Sequence, residues 1–314
     1  QSAAELDADF TLFYDTTIDS IQAMRRIRSS GRHVGYELCD ILSTNQPVSP
    51  RKAAYLLAER FLPGNSHLNI VITRKIADWI ESVAPKSQLL LVPGLFDTDT
   101  FVRDVDAGTR FRSQHKVGAD EVLVTYAGTW WKQKGVQGLI AAFAAAKDAT
   151  QVPLRLVVAG KCNGHEQEDD AVKLVAELGL SQTVILPGFL NSSKLVELLS
   201  ASDIVVSPSL DHPFNHAAFP TKVAEYAGMG CSILATAVGD IPHYFQDGVN
   251  AALCDPNEPQ AMVNAIIRLA EAPELRQRIA HSAASTARQH FDFRTCGERM
   301  DREVRRSLES SRCA

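Results

Sequence analysis

Residues 207–240 read SPSLDHPFNHAAFPTKVAEYAGMGCSILATAVGD, and their punctuation decides the fold. Ser207 and Pro208 close an apolar strand, Ile204–Val206. A polar loop rich in Pro, Asn and His follows. Phe219-Pro220 opens a helix, and proline is well tolerated in a first turn, where its missing N–H is not needed. Gly228-Met229-Gly230 stops that helix, because glycine takes the left-handed backbone that ends helices. Ser232–Ala235 is a second buried strand. This order places a loop and a helix N-terminus at the carboxyl edge of a parallel sheet, the edge where open α/β sheets take ligands. A helix start offers unpaired N–H groups and the positive end of a dipole to a phosphate. Glu225 stands a little over one turn into the helix, with Lys222 three residues before it. One acid and one base beside an anion site suit a nucleotide without being specific for one.

Working outward, the same alternation fills the second half of the chain. Val122–Ala127, Leu154–Ala159, Thr183–Leu186, Asp203–Val206, Ser232–Ala235 and Ala251–Leu253 read as strands. They are continuous apolar runs, as expected when both faces of a parallel sheet are covered. Helices are expected near Val136–Lys147, Glu166–Leu178, Ser192–Ser200, Thr221–Ala227 and Ile241–Gln246, then near Glu258–Glu271 and Glu274–His290. The charged tail Asp301–Ala314 is expected to fray.

The first hundred residues alternate in the same way. Strands are expected at Phe10–Tyr14, His33–Leu38, Asn69–Ile72 and Gln88–Val92. Helices are expected at Ile18–Ser30, Pro50–Leu62, with Pro50 and Pro63 as punctuation, and Arg74–Val83. The stretch Asp97–Gly118 is polar and irregular and reads as the domain boundary. The expected division is residues 1–105, a partial Rossmann-like acceptor-side domain, and residues 106–314, a Rossmann-like donor-binding domain with C-terminal helices. The fold class is α/β. The first domain shows about four strands where a full Rossmann domain has about six. It is therefore expected to be reduced or to lack its opening strands.

Composition narrows the function. The 314 residues are 22% charged and 45% hydrophobic, which is ordinary for a globular protein. A net charge of −5 speaks against a general nucleic-acid binder. The six cysteines are scattered, with no CxxC pair, so neither a disulfide framework nor a zinc site is indicated. No apolar run reaches about 18 residues, and no stretch reads as a signal peptide. These features lead to an expected cytoplasmic location.

Several motifs carry chemistry. In Gly128-Thr129-Trp130-Trp131-Lys132-Gln133-Lys134-Gly135, Gly128 permits close backbone approach and Lys134 can reach an anion. The segment reads either as a diphosphate-binding turn or as an ordinary βα loop with a solvated lysine. Leu186-Pro187-Gly188-Phe189 ends a strand; its backbone could hold a flat base, or Phe189 is simply packed in a turn. Lys161-Cys162-Asn163-Gly164 reads equally as a ligand-facing loop and a plain turn. Asp211, His212 and His216 lack a further strong ligand at regular spacing, so no metal is expected. Asp97-Thr98-Asp99 spells DxD and reads as a turn or helix start. Arg25, Arg26, Arg28 and Arg32 form a solvated face or one that touches anionic lipid, which keeps peripheral membrane contact open. Glu37, Cys39 and Asp40 follow a strand at the expected cleft.

Together these stretches resemble the family-four glycosyltransferases, over about residues 65–290. The resemblance rests on Asn69–Phe101, Tyr126–Gly135, Leu186–Phe189 and Phe219–Gly239, in that order and spacing. It implies the GT-B fold, two Rossmann-like domains facing across a cleft. It implies transfer of a sugar from a nucleotide-sugar donor to an acceptor hydroxyl, with retention and without metal or cofactor. The acceptor would be a sugar, a lipid-linked group or a small molecule. By the resemblance, Lys134 and the N–H groups of Thr221 and Lys222 would hold the donor diphosphate, following Gly128 and Thr129. Glu225 would accept hydrogen bonds from the ribose. Gly188 and Phe189 would border the base. The sugar would lie between Asn215–Phe219 and the N-terminal domain, with Pro220 also in the donor site.

The departures are specific. The family's first glutamate, eight positions before Glu225, is Ala217, so Asn215 or His216 would have to supply its contact. The arginine after the first glycine of the phosphate turn is Thr129. A histidine of the N-terminal cleft is replaced by Cys39, and the Asn-Gly before the linker aspartate is Gly94-Leu95. The glycine-rich N-terminal loop has no counterpart. These departures favour the rival reading, a catalytically degenerate nucleotide-sugar binder or assembly partner. An epimerase or phosphorylase on the same fold is the third reading.

Overall fold

The computed structural model describes residues 8–45, 47–160 and 165–310. It divides into two compact units. The first contains the residues up to Gly94, His216–Phe219 and those from Arg294 onward. The second contains Leu95–Asn215 and Pro220–Phe293.

In the first unit the chain runs β1 (Phe10–Phe13), α1 (Ile18–Ser29), β2 (His33–Leu38), α2 (Pro50–Asn65), β3 (Leu68–Val71), α3 (Arg74–Val83) and β4 (Gln88–Leu91). The four strands pair in parallel in the order β1-β2-β3-β4. Side-chain oxygens cap each helix start: Thr17 accepts from Ser20 N, Ser49 from Lys52 N and Thr73 from Ile76 N. Met24 and Ile27 of α1, Ala58 and Leu62 of α2, and Ile76 and Ile80 of α3 pack with Val34, Tyr36 and Leu38 of β2 into one core. Pro63 does not end α2, as its place in the sequence suggested. The helix continues to Asn65, because the Pro63 carbonyl is held by the Ser66 hydroxyl and the Asn69 amide.

The second unit begins with α4 (Val105–Gln114), within the stretch that looked irregular in the sequence. Asp104 caps it by accepting from Ala107 N over 2.9 Å. Its buried face is short, Ala107, Gly108 and Phe111, which a long-period pattern would not detect. There follow β5 (Val122–Ala127), α5 (Val136–Ala149), β6 (Leu154–Ala159), α6 (His165–Glu177), β7 (Val184–Gly188) and α7 (Ser192–Ala201). The chain continues through β8 (Ile204–Ser207), α8 (Pro213–Ala217), α9 (Thr221–Gly228), β9 (Ile233–Thr236), α10 (Ile241–Tyr244) and β10 (Ala252–Cys254). It closes with α11 (Pro259–Glu271) and α12 (Pro273–His290). The sheet is parallel, in the order β10-β9-β8-β5-β6-β7. Strand order therefore reverses between β5 and β8, the position at which an open α/β sheet leaves a crevice at its carboxyl edge.

The last helix, α13 (Phe293–Ser310), corrects the expectation of a frayed tail. Cys296 is fully buried, and Met300 and Val304 pack with it against Leu68, Ile70, Leu90 and Val92 of the first unit. One apolar residue per turn was enough to order a highly charged sequence once a sheet face was there to receive it. Among the described residues, no helix is long and apolar enough to cross a membrane.

Candidate functional site

The loops after β5, β6, β7 and β8 meet at the switch point of the second sheet. Gly128 N donates to Ala159 O over 3.0 Å, and Gly160 N donates to Gly188 O over 2.9 Å. Gly160 has φ +136°, and a Cβ there would lie 1.7 Å from Gly128 O. Only glycine permits this approach of two strand ends. Below them Tyr226 of α9 is buried, and its hydroxyl donates to Ala127 O over 2.8 Å while accepting from Ala127 N. Burial, with Tyr126 as neighbour, holds the Tyr226 hydroxyl far above its ordinary range, so it stays a neutral donor that ties α9 to the end of β5.

A cavity of about 310 Å³ opens here, lined among others by Gly128, Thr129, Gly160, Phe189, Leu195 and Lys222. Phe189 is 72% exposed, so its ring is offered to solvent or to a flat ligand rather than packed. Lys222 Nζ lies 3.3 Å from Glu225 Oε2 on the adjoining turn of α9. Pro220 is the N-cap residue of this helix. Thr221 and Lys222 supply first-turn amides, which have no acceptor within a helix. Gly188 has φ +72° and open space beside it, which exposes the backbone before Phe189.

Lys134 lies on the short 3-10 turn Lys132–Lys134, which Gly135 ends with φ +72°. A Cβ at Gly135 would stand 2.0 Å from Pro208 O, so the turn is pressed onto the loop after β8. Leu210 N donates to Gln133 O over 3.0 Å. The Asn215 amide donates to both Gln133 O and Leu210 O, each over 2.8 Å. Lys134 Nζ lies 3.5 Å from Asn215 Oδ1 and 5.1 Å from the centre of the Phe214 ring.

The structure thus gathers Gly128, Thr129, Phe189 and Lys222 around one cavity, with Gly188 preceding Phe189 and Glu225 reaching it through Lys222. Lys134 and Asn215 form a separate pair on the next turn. Phe219 is buried and, with His216, Ala217 and Ala218, belongs to the first unit. Ala217 joins that unit's core, and its carbonyl accepts from Thr73 Oγ1 over 3.2 Å. The turn at 161–164 lies outside the described residues.

Two of the larger hollows fit a diphosphate less well. One, of about 410 Å³, is lined by aliphatic groups of α5 and α11 with Asp255 and Glu258, and carboxylates repel an anion. The other, of about 540 Å³, lies at the amino edge of the first sheet. There α1, α2 and α3 present their negative C-terminal ends, and Arg28 bonds to Gly64 O. Among the described residues, no three His, Cys, Asp or Glu side chains are grouped to hold a metal ion. Asp97 instead accepts from Asp99 N and from Thr100, forming a turn, and His212 Nδ1 accepts from Phe214 N.

The model of the glycosyl transferases group 1 family matches residues 109–286, more than half of the chain. The chain belongs to that family. A curated relative of this group 1 protein is a D-inositol 3-phosphate glycosyltransferase of Corynebacterium aurimucosum, 26% identical over 265 residues. The match takes in 82% of this chain but 62% of the relative, so the chain spans about six tenths of the relative's length. Sucrose-phosphate synthase from Thermosynechococcus elongatus has a similar structure, with TM-score 0.79 and 21% identity over 98% of this chain and 75% of that one. HepE of Anabaena, solved in complex with UDP, gives TM-score 0.78 and 22% identity over 95% of this chain and 79% of that one. These likenesses agree with the GT-B class of fold that the sequence resemblance implied.

Proposed function

We propose that this group 1 protein transfers a sugar, with retention and without metal, from a nucleotide-sugar donor to an acceptor hydroxyl. The observation that carries the reading is the cavity at the β5–β8 switch point, where Gly128, Gly160 and the first turn of α9 converge beside Lys222. The diphosphate would lie against the Thr221 and Lys222 amides and the Lys134 turn. Phe189 would border the base and Glu225 the ribose. The acceptor oxygen forms a bond to the anomeric carbon as the bond from that carbon to the diphosphate oxygen breaks. The acceptor proton passes to the leaving diphosphate on the same face. Fixed cations and N–H dipoles then bear the developing charge. The acceptor class would be a sugar, a lipid-linked group or a small molecule, in the cytoplasm or at a membrane face.

The test is thermal stabilisation by UDP, GDP, ADP and their sugar conjugates in the absence of metal. The UDP complex of HepE makes UDP the first to try. Ligand at a hundred times its Kd stabilises by about 2.7 kcal/mol. The expected result is a melting shift with one nucleotide that Lys134→Ala abolishes. A shift that survives Lys134→Ala would remove Lys134 from the site. The rival reading, a nucleotide-sugar binder without turnover, draws on Ala217, Thr129 and Cys39. Slow donor hydrolysis without acceptor supports transfer; binding with no hydrolysis and no transfer supports the rival.

A further inference from the structure

We propose that Asn215 is a positioning residue that orients Lys134, and that it makes no contact with the sugar; this rests on the diphosphate reading above. An amide has two donor hydrogens. Both of those on Asn215 are already bonded, to Gln133 O and Leu210 O. The residue is 6% exposed. What remains is its carbonyl oxygen, and that oxygen faces Lys134 Nζ at 3.5 Å.

The arrangement performs two tasks with one side chain. The bonds to Gln133 O and Leu210 O fasten the turn that carries Lys134 to the loop after β8. The carbonyl and the Phe214 ring, 5.1 Å from the ammonium, give the cation two neutral partners. Trp131 meets the Phe214 ring edge-on at 6.1 Å and supports it. An amide oxygen and a ring face help to hold an ammonium in place without themselves cancelling its charge, and its rotamer entropy is lost before the anion arrives. A carboxylate at the same position would pair with the lysine and compete with a diphosphate for it. Asp would also lack the donors for Gln133 O and Leu210 O, so both tasks call for an amide.

The experiment measures UDP affinity by calorimetry, or that of whichever diphosphate gives the melting shift, for wild type, N215A, N215D, K134M and the double variant N215A/K134M. N215A is expected to bind about ten-fold more weakly, the scale of one lost charge-assisted contact. In the K134M background N215A is expected to change nothing further, because a residue that acts through Lys134 has nothing left to act on. N215D, which loses both amide donors and sets a negative charge against Lys134, is expected to bind more weakly still. Wild-type affinity in N215A or N215D, or additive losses in the double variant, would overturn the proposal. A ligand-free readout separates it from the wider reading. With lysines ¹³C-methylated, the Lys134 signal, identified by its loss in K134M, is expected to move in N215A. If no nucleotide binds the wild type, the diphosphate reading fails while this signal still decides whether Asn215 orients Lys134; an unmoved signal would sink the proposal.

Discussion

The two units share a parallel architecture but use glycine differently. In the second, Gly135 and Gly160 sit at carboxyl-edge turns with positive φ, and a side chain on either would strike a backbone carbonyl of the neighbouring loop. In the first, Gly35 lies inside β2 and makes room for the Phe10 ring, 2.6 Å from where a Cβ would be. Its one left-handed glycine among the described residues, Gly31, is at the amino edge, after α1. The second sheet therefore brings loop backbones together at its carboxyl edge, and the first uses its glycine for packing. The family match beginning at residue 109 falls entirely beyond the first ninety-four residues, in keeping with that division of labour.

The hardest blow to this contrast is Gly160→Ala. The backbone angle is wrong for alanine, and the new methyl would meet Gly128 O. The expected cost is more than about 3 kcal/mol in chemical denaturation, with loss of any nucleotide-induced melting shift. A cost of 1 kcal/mol or less, roughly the ordinary left-handed penalty, would mean that the two loops do not need their close approach.

An intermediate effect comes from the first unit's amino edge, where His33 and His67 stack at 4.5 Å. Burial, then Arg28 and His33, hold His67 down at about 4 from its ordinary 6.5. Burial and Arg28 also lower His33. The unfolded chain then binds protons that the folded chain refuses. This contribution is complete above pH 6.5 and is lost as the pH falls through 6.5 towards 4. Discounted for solvent screening at a part-buried ring, a loss on the order of 1–2 kcal/mol is expected over that window in denaturation titrations, and His67→Gln should flatten the curve. A wild-type profile as steep after His67→Gln would place the titration elsewhere.

The smallest effect is expected at Gly31→Ala. Its φ is +78°, with nothing within 4 Å of the added methyl, so the cost is the backbone penalty alone, about 1 kcal/mol. The ratio of this value to the Gly160 value measures the contrast directly.

Sequence legibility followed burial. Val122–Ala127 and Leu154–Ala159 were readable to the residue because all but Thr125 and Arg155 are apolar and both faces are covered. α4 was not readable, because its buried face is Ala107, Gly108 and Phe111, and Gly108 matters only through its contact with the Ser200 backbone. α13 did carry a signal, with Cys296, Met300 and Val304 four apart, hidden beneath charge. At the candidate site, the glycine turns and the start of α9 could be found from punctuation. The bonds of Asn215 could not, since two of its partners are main-chain carbonyls, and no side-chain pattern records which carbonyl an amide will find.

The path of the chain has a practical corollary. It leaves the first unit at Gly94, returns for His216–Phe219, departs again and comes home from Arg294. Neither unit is a single stretch of sequence, so neither is a ready-made cassette. A chimera that transplants residues 95–293 carries away four residues that belong to the first unit, with Ala217 of its core among them. One cut before α13 strips a sheet face of Cys296, Met300 and Val304. Recombination in this scaffold would succeed only where donor and host agree on those borrowed pieces, which binds the two halves to evolve as one.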